Sequence, residues 1–108
     1  MSNIHQLTDK EKEIAERLKT VVDPEVAVNI VDLGLVYEIE HNEEEKSIRV
    51  IMTLSTRGCP LGDTIMQNVE VVLEANYPGY KIDVELVWEP MWSPDMITEA
   101  GRQAIEGM

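Results

Sequence analysis

The sequence predicts one small α+β domain, in the order helix-strand-strand-helix-strand-helix, with a mixed sheet covered by helices. Three observations predict it. Apolar residues alternate with a period of two in three stretches, around Leu35 to Glu40, Ile48 to Leu54 and Ile82 to Trp88. Apolar residues recur at helical spacing in three others, around Ile14, Ile65 and Ala100. The 108 residues suffice for one hydrophobic core but not for two, and no repeat, low-complexity tract or linker divides them. The domain is therefore read as residues 1–108, with its core over about 8–107.

Thr8 followed by Glu11 forms a capping-box signature, after which Ile14, Ala15, Leu18, Val21 and Val22 mark one helix face. The charged residues between them, Lys10 to Glu13 and Glu16 to Lys19, read as the solvated face. The helix must stop near Asp23, because Pro24 disfavours helical geometry in the residue before it. Asp23-Pro24-Glu25 then makes a turn that sets two carboxylates close together. Gly34 marks a turn or bulge before the first strand, and Asp32 is expected to accept backbone N–H bonds in that turn, or else to face the cysteine junction. The acidic loop from His41 to Lys46 joins the first two strands, which should be antiparallel.

In the second strand Ile48, Val50, Met52 and Leu54 face one side, and the chain then runs through Ser55-Thr56-Arg57-Gly58-Cys59-Pro60 into a helix carrying Leu61, Ile65, Val69, Val72 and Leu73. Pro60 suits the first helical position, which makes Cys59 the N-cap. The Pro78-Gly79 turn leads into a third strand, parallel to the second. Ser93 as N-cap and Pro94 as first helical residue open a final helix with Met96, Ile97, Ala100, Ala104 and Ile105.

Lys and Arg total 9 against 21 Asp and Glu, a formal net charge of -12. Such a field repels phosphate backbones and anionic lipid, so neither nucleic acid nor membrane is an expected partner. The first residues lack the pattern of a secretory signal, and the single cysteine excludes an intrachain disulfide; both point to the cytoplasm.

Cys59 carries the chemistry the sequence offers. A sulfur at a helix N-terminus meets unpaired N–H groups and the positive end of the helix dipole, which favour the thiolate, and Arg57 adds a cation nearby. A buried structural cysteine is the alternative, and the local sequence leaves both open. No motif sets His5 or His41 beside the thiol, so no catalytic residue is assigned and the chain is not read as an enzyme. Gly58 serves a turn, since the spacing and Lys of a phosphate loop are missing. One thiolate cannot close a four-thiolate metal site within one subunit, so Cys59 as a metal ligand implies a transient or shared site. Met91 and Trp92, between Pro90 and Pro94, form either a partner surface or a lid over the core.

Taken jointly, Asp23-Pro24-Glu25, Asn29-Ile30-Val31-Asp32-Leu33-Gly34-Leu35-Val36-Tyr37, Met52-Thr53-Leu54-Ser55, Gly58-Cys59-Pro60-Leu61 and Trp88-Glu89-Pro90-Met91-Trp92 resemble the iron-sulfur cluster assembly domains of SufT and PaaD type. The resemblance runs from about Glu13 to Gly107. It implies an accessory factor that helps deliver or insert clusters into apo-proteins, with a transient iron-sulfur cluster or iron as cargo. It implies as partners the assembly machinery and apo client proteins, and leaves a homodimer open. Carried over position by position, Cys59 becomes the leading functional residue, Asp23 and Glu25 the acidic turn, Asp32 the next acidic position and Trp92 the Pro-x-Trp position. Ser55, beside Thr56, stands where the family usually has threonine, and Arg57 where proline is frequent. Two further readings stay beside it: a metal-independent adaptor that recruits apo-targets through Met91 and Trp92, and a PaaD-like maturation factor for an oxygenase of aromatic-acid degradation. Some PaaD-type members carry extra C-terminal cysteines that this chain lacks.

Overall fold

A computed structural model describes residues 8–23, 27–54 and 62–106. The first helix, α1 (Asp9–Leu18), begins with the capping box expected from the sequence: Glu11 N–H donates to Thr8 Oγ1, and Thr8 N–H donates to the Glu11 carboxylate. It ends earlier than the apolar spacing predicts, with Lys19 as C-cap. Thr20 bonds its hydroxyl back to the Arg17 carbonyl and the chain leaves the helix axis, so Val22 is 44% exposed instead of lying on the helix face. Val22 and Asp23 form β1 (Val22–Asp23), which pairs antiparallel with β2 (Val28–Asn29) in a two-stranded sheet.

The main sheet has three strands, β3 (Val36–Asn42), β4 (Ser47–Met52) and β5 (Lys81–Leu86), in that order across it. β3 and β4 are antiparallel; β4 and β5 are parallel and joined through α2 (Gly62–Asn76). These are the pairings predicted from loop length and crossover. Met52 faces Val36 while Ile51 faces Glu38, so Tyr37 is the extra residue of a β-bulge. The bulge lets Val36 and Ile39, three apart, both face the core. Gly34 supplies the turn instead, at φ +79°.

Ile48, Val50 and Met52 of the central strand are fully buried with Ile14 and Leu18 of α1 and Ile65, Val69 and Leu73 of α2. Burying side chains of this size stabilises by roughly 1.5–3 kcal/mol each relative to exposure, which is why the two helices lie over this face. The other sheet face carries Glu38, Glu40, Arg49, Ile51, Asp83 and Glu85, brought side by side by the register. Arg49 sits among three carboxylates, 2.7 Å from Glu85, 3.7 Å from Asp83 and 3.9 Å from Glu40.

The C-terminal segment departs from its expected single helix. Pro94–Met96 is one turn of 3-10 helix, Ile97 is extended, and α3 (Glu99–Glu106) starts afresh. Ser93 makes no side-chain capping bond, whereas the Thr98 hydroxyl accepts from Gly101 N–H at 3.1 Å, so Thr98 caps the helix in its place. No described helix is long and apolar enough to cross a membrane.

Candidate functional site

Three segments named by the sequence meet at one end of the main sheet. The loop of residues 29–35 enters β3 there, because β3 runs antiparallel to β4. β4 ends at the same place in Thr53 and Leu54, and Thr53 N–H donates to the Leu35 carbonyl at 2.8 Å. β5, parallel to β4, delivers the segment from Val87 onward, whose first N–H bonds to the Met52 carbonyl at 2.9 Å.

The segment after β5 is clasped to the 29–35 loop. Trp92 Nε1 donates to the Leu33 carbonyl at 2.8 Å, and Thr98 N–H donates to the Asp32 carbonyl at 2.8 Å. The Thr98 hydroxyl donates to Asp32 Oδ1 at 2.9 Å, while the Asn29 side-chain amide donates to Oδ2 at 2.7 Å. Both carboxylate oxygens are thus engaged, and the negative charge sits beside the N-terminus of α3, where the helix dipole favours it. The turn acceptor expected of Asp32 is instead Asn29, whose Oδ1 takes the Asp32 N–H at 2.9 Å. Two glycines make the contact close. A Cβ at Gly34 would lie 2.4 Å from the Met96 carbonyl oxygen, and one at Gly101 2.8 Å from the Asp32 carbonyl oxygen.

Tyr37, the bulge residue, closes the clasp from the sheet side. Its hydroxyl donates to the Pro90 carbonyl at 2.7 Å and lies 3.7 Å from the Met96 sulfur. Burial pushes the phenol pKa up, a hydrogen bond with the Thr53 hydroxyl opposes this, and the Glu89 charge adds to the rise. Thr53 is itself 1% exposed at the point where the chain leaves β4.

Of the residues singled out from the sequence, Asp32 and Trp92 are therefore joined through one clasp, and Asp23 is buried beside it on the β1–β2 hairpin. Trp92 is half-buried and packs against the core, while its neighbour Met91 is 76% exposed. Glu25, Ser55, Thr56 and Cys59, and with them the N-cap assignment, lie outside the described residues. Leu54 and Gly62, which flank the cysteine segment, pack against each other; a Cβ on Gly62 would fall 2.5 Å from Leu54 Cδ1. Among the described residues, no group of three or more His, Cys, Asp or Glu is arranged to hold a metal ion. Sequence reasoning gave no role to Asn29, Tyr37 and Thr53, although all three stand inside the quoted motifs, and missed Thr98 altogether. Thr53, a polar residue in an apolar strand run, also carried a compositional signal, whereas Thr98 carried none.

A family model described as iron-sulfur cluster assembly protein matches residues 11–86. The chain belongs to the iron-sulfur cluster assembly family. Relatives similar to it include the Fe-S protein maturation auxiliary factor SufT of Staphylococcus aureus, 38% identical with 79% of this chain and 96% of that protein covered. Another is the Fe-S protein maturation auxiliary factor YitW of Bacillus subtilis, 39% identical over 82% of this chain and 85% of the relative. A crystal structure of a domain of unknown function from Bacillus anthracis superposes with a TM-score of 0.82 at 34% identity, covering 88% of this chain and 90% of that one. The family match ends at Leu86, so the strand order and the 29–35 loop fall within it, while Trp92 and Thr98 of the clasp lie beyond.

Proposed function

We propose that this chain is an accessory factor of iron-sulfur protein maturation in which the Cys59 thiolate receives iron or a cluster as cargo and passes it to an apo-protein. The observation that carries this reading is the gathering of the 29–35 loop, the end of β4 and the segment after β5 at one end of the sheet. Ligands of α/β sheets commonly bind beyond the carboxyl ends of parallel strands, and the cysteine segment leaves from one such end. Three Cα-to-Cα steps separate Cys59 from Gly62, a tether of at most about 11 Å at full extension. On this reading Asp23, Glu25, Asp32, Ser55, Thr56 and Trp92 serve that sulfur; Asp32 and Trp92 act through the clasp, holding the 29–35 loop at the sheet end from which the cysteine segment leaves. The names of the relatives in S. aureus and B. subtilis, maturation auxiliary factors, support a role of assistance without turnover. The cytoplasm, with the assembly machinery and apo clients as partners, is the setting this role requires.

A thiol that binds iron gives up its proton, so binding strengthens as pH rises toward the thiol pKa. Anaerobic reconstitution of the wild type and Cys59→Ala, with metal-to-protein stoichiometry and transfer to an apo-ferredoxin, tests the proposal. Expected are cluster or iron bound and transferred by the wild type, and loss of both in a Cys59→Ala variant with unchanged circular dichroism. Equal loading and transfer by the two proteins would overturn the role of Cys59. Absence of loading in either, with partner capture retained, would replace it with the adaptor reading.

A further inference from the structure

The outer edge of β5 carries a row of hydrogen-bonding groups with no partner among the described residues. Lys81 N–H bonds to the Lys46 carbonyl and Val87 N–H to the Met52 carbonyl, so the odd-numbered residues of β5 face β4. In a parallel ladder the alternate residues face the other way, which turns the N–H and C=O groups of Ile82, Val84 and Leu86 outward. Among the described residues no hydrogen bond reaches these groups, and β5 pairs with β4 alone. The side chains of the same three residues are only half-buried, whereas Ile48, Val50 and Met52, their partners in β4, are fully buried. The apolar layer of the sheet is therefore only partly covered at β5, where these three side chains pack against the edge of the core.

Charge selects what can complete it. On the opposite face Asp83 and Glu85 line the edge; Arg49 bonds Glu85 at 2.7 Å and lies 3.7 Å from Asp83, yet with Glu38 and Glu40 the face sets four carboxylates against Arg49 and Lys81 and stays acidic. A second copy adding antiparallel through its own β5, with like faces aligned, sets Asp83 opposite Asp83 in one register or Asp83 opposite Glu85 in the next. Like charges directly opposite destabilise a strand pair, and each copy adds a net charge of -12. We infer that the free edge of β5 is a docking site for an extended segment of a partner protein with alternating apolar and basic residues, added as a fourth strand. Its backbone pairs with Ile82, Val84 and Leu86, its apolar side chains extend the layer beside those residues, and its Lys or Arg side chains meet Asp83 and Glu85. The inference does not depend on Cys59.

The test is titration of the full chain with a short peptide alternating Val and Lys, read by amide hydrogen exchange and chemical-shift changes. Protection of the Ile82, Val84 and Leu86 amides is expected, with an affinity that falls as salt is added. The same peptide with Glu for Lys should not bind. Val84→Pro removes an outward N–H along with part of a half-buried side chain, and where it folds it should weaken binding by about tenfold, the equivalent of one lost hydrogen bond. Asp83→Asn should weaken it less. Equal binding of the Lys and Glu peptides, shifts at the 29–35 loop without protection in β5, or a folded Val84→Pro that binds undiminished would each overturn the proposal. Protection of the three amides without peptide, in a chain of dimeric size, would overturn it in favour of a second copy.

Discussion

The two ends of the main sheet are held by different balances of interaction. At the clasp end, bonds to backbone carbonyls join the segments, from Trp92 to Leu33, Tyr37 to Pro90 and Thr98 N–H to Asp32, and the Asp32 carboxylate adds side-chain bonds from Thr98 and Asn29. At the hairpin end, side chains bond to one another. Glu43 accepts from Lys46 at 2.8 Å and Tyr80 at 2.7 Å and pairs with His41 at 3.0 Å, while Tyr77 donates to Glu13, itself 3.3 Å from Lys10. His41 stacks on Tyr80, and Lys46 lies over the same ring. A bond to backbone fixes the path of the chain and cannot be replaced by changing the partner residue. A network of exposed side chains can be rebuilt with other residues, and solvent and salt screen each of its pairs. Precision is therefore concentrated at the end where the cysteine segment leaves the sheet.

The strongest way to break this contrast is Gly34→Ala. A Cβ there meets the Met96 carbonyl and must adopt φ +79°. The left-handed conformation costs roughly 1–2 kcal/mol and the overpacking roughly 1–3 kcal/mol, so a loss of about 3 kcal/mol is expected in urea denaturation. An unchanged midpoint would mean that the two segments are not locked together. Tyr37→Phe should cost less, about 1–2 kcal/mol, because the Pro90 carbonyl and the Thr53 hydroxyl lose a buried partner while the ring stays in place. A loss no larger than that of Tyr80→Phe at the hairpin end would remove the distinction between the ends.

The contrast also explains what the sequence disclosed. The Thr8–Glu11 capping box, the Pro78-Gly79 turn and the strand alternation act between residues a few positions apart, and all three appear where the pattern puts them. The hairpin end is local in the same sense, since Glu43 and Lys46 belong to one loop. The clasp is not. Thr98 and Asp32 are 66 positions apart, and Trp92 and Leu33 are 59 apart, so no period or motif links them. Val22 shows the opposite error: it fits the helical spacing of α1, yet helix end and hairpin pairing, set by Thr20 and by Asn29 opposite it, take it out of the helix. The candidate site was legible as separate motifs; that three of them share one sheet end follows only from strand direction.

The smallest expected effect belongs to the hairpin end and is visible through pH. Hydrogen bonds from Lys46, then Tyr80, hold the Glu43 carboxyl at about 2, against an ordinary value of 4.5. Between those values the unfolded chain binds more protons at this position than the folded one, so stability rises with pH across the window. The contribution is fully present above 4.5 and is lost as pH falls toward 2. Comparing thermal midpoints of the wild type and Glu43→Gln isolates it from the other carboxylates. The wild type should melt higher near neutral pH, with the gap closing as acid is added and narrowing with salt at any pH. A gap that stays constant down to the acid limit would show that Glu43 acts through packing instead of charge. The hairpin end would then resemble the clasp, where position and not ionisation sets the energy.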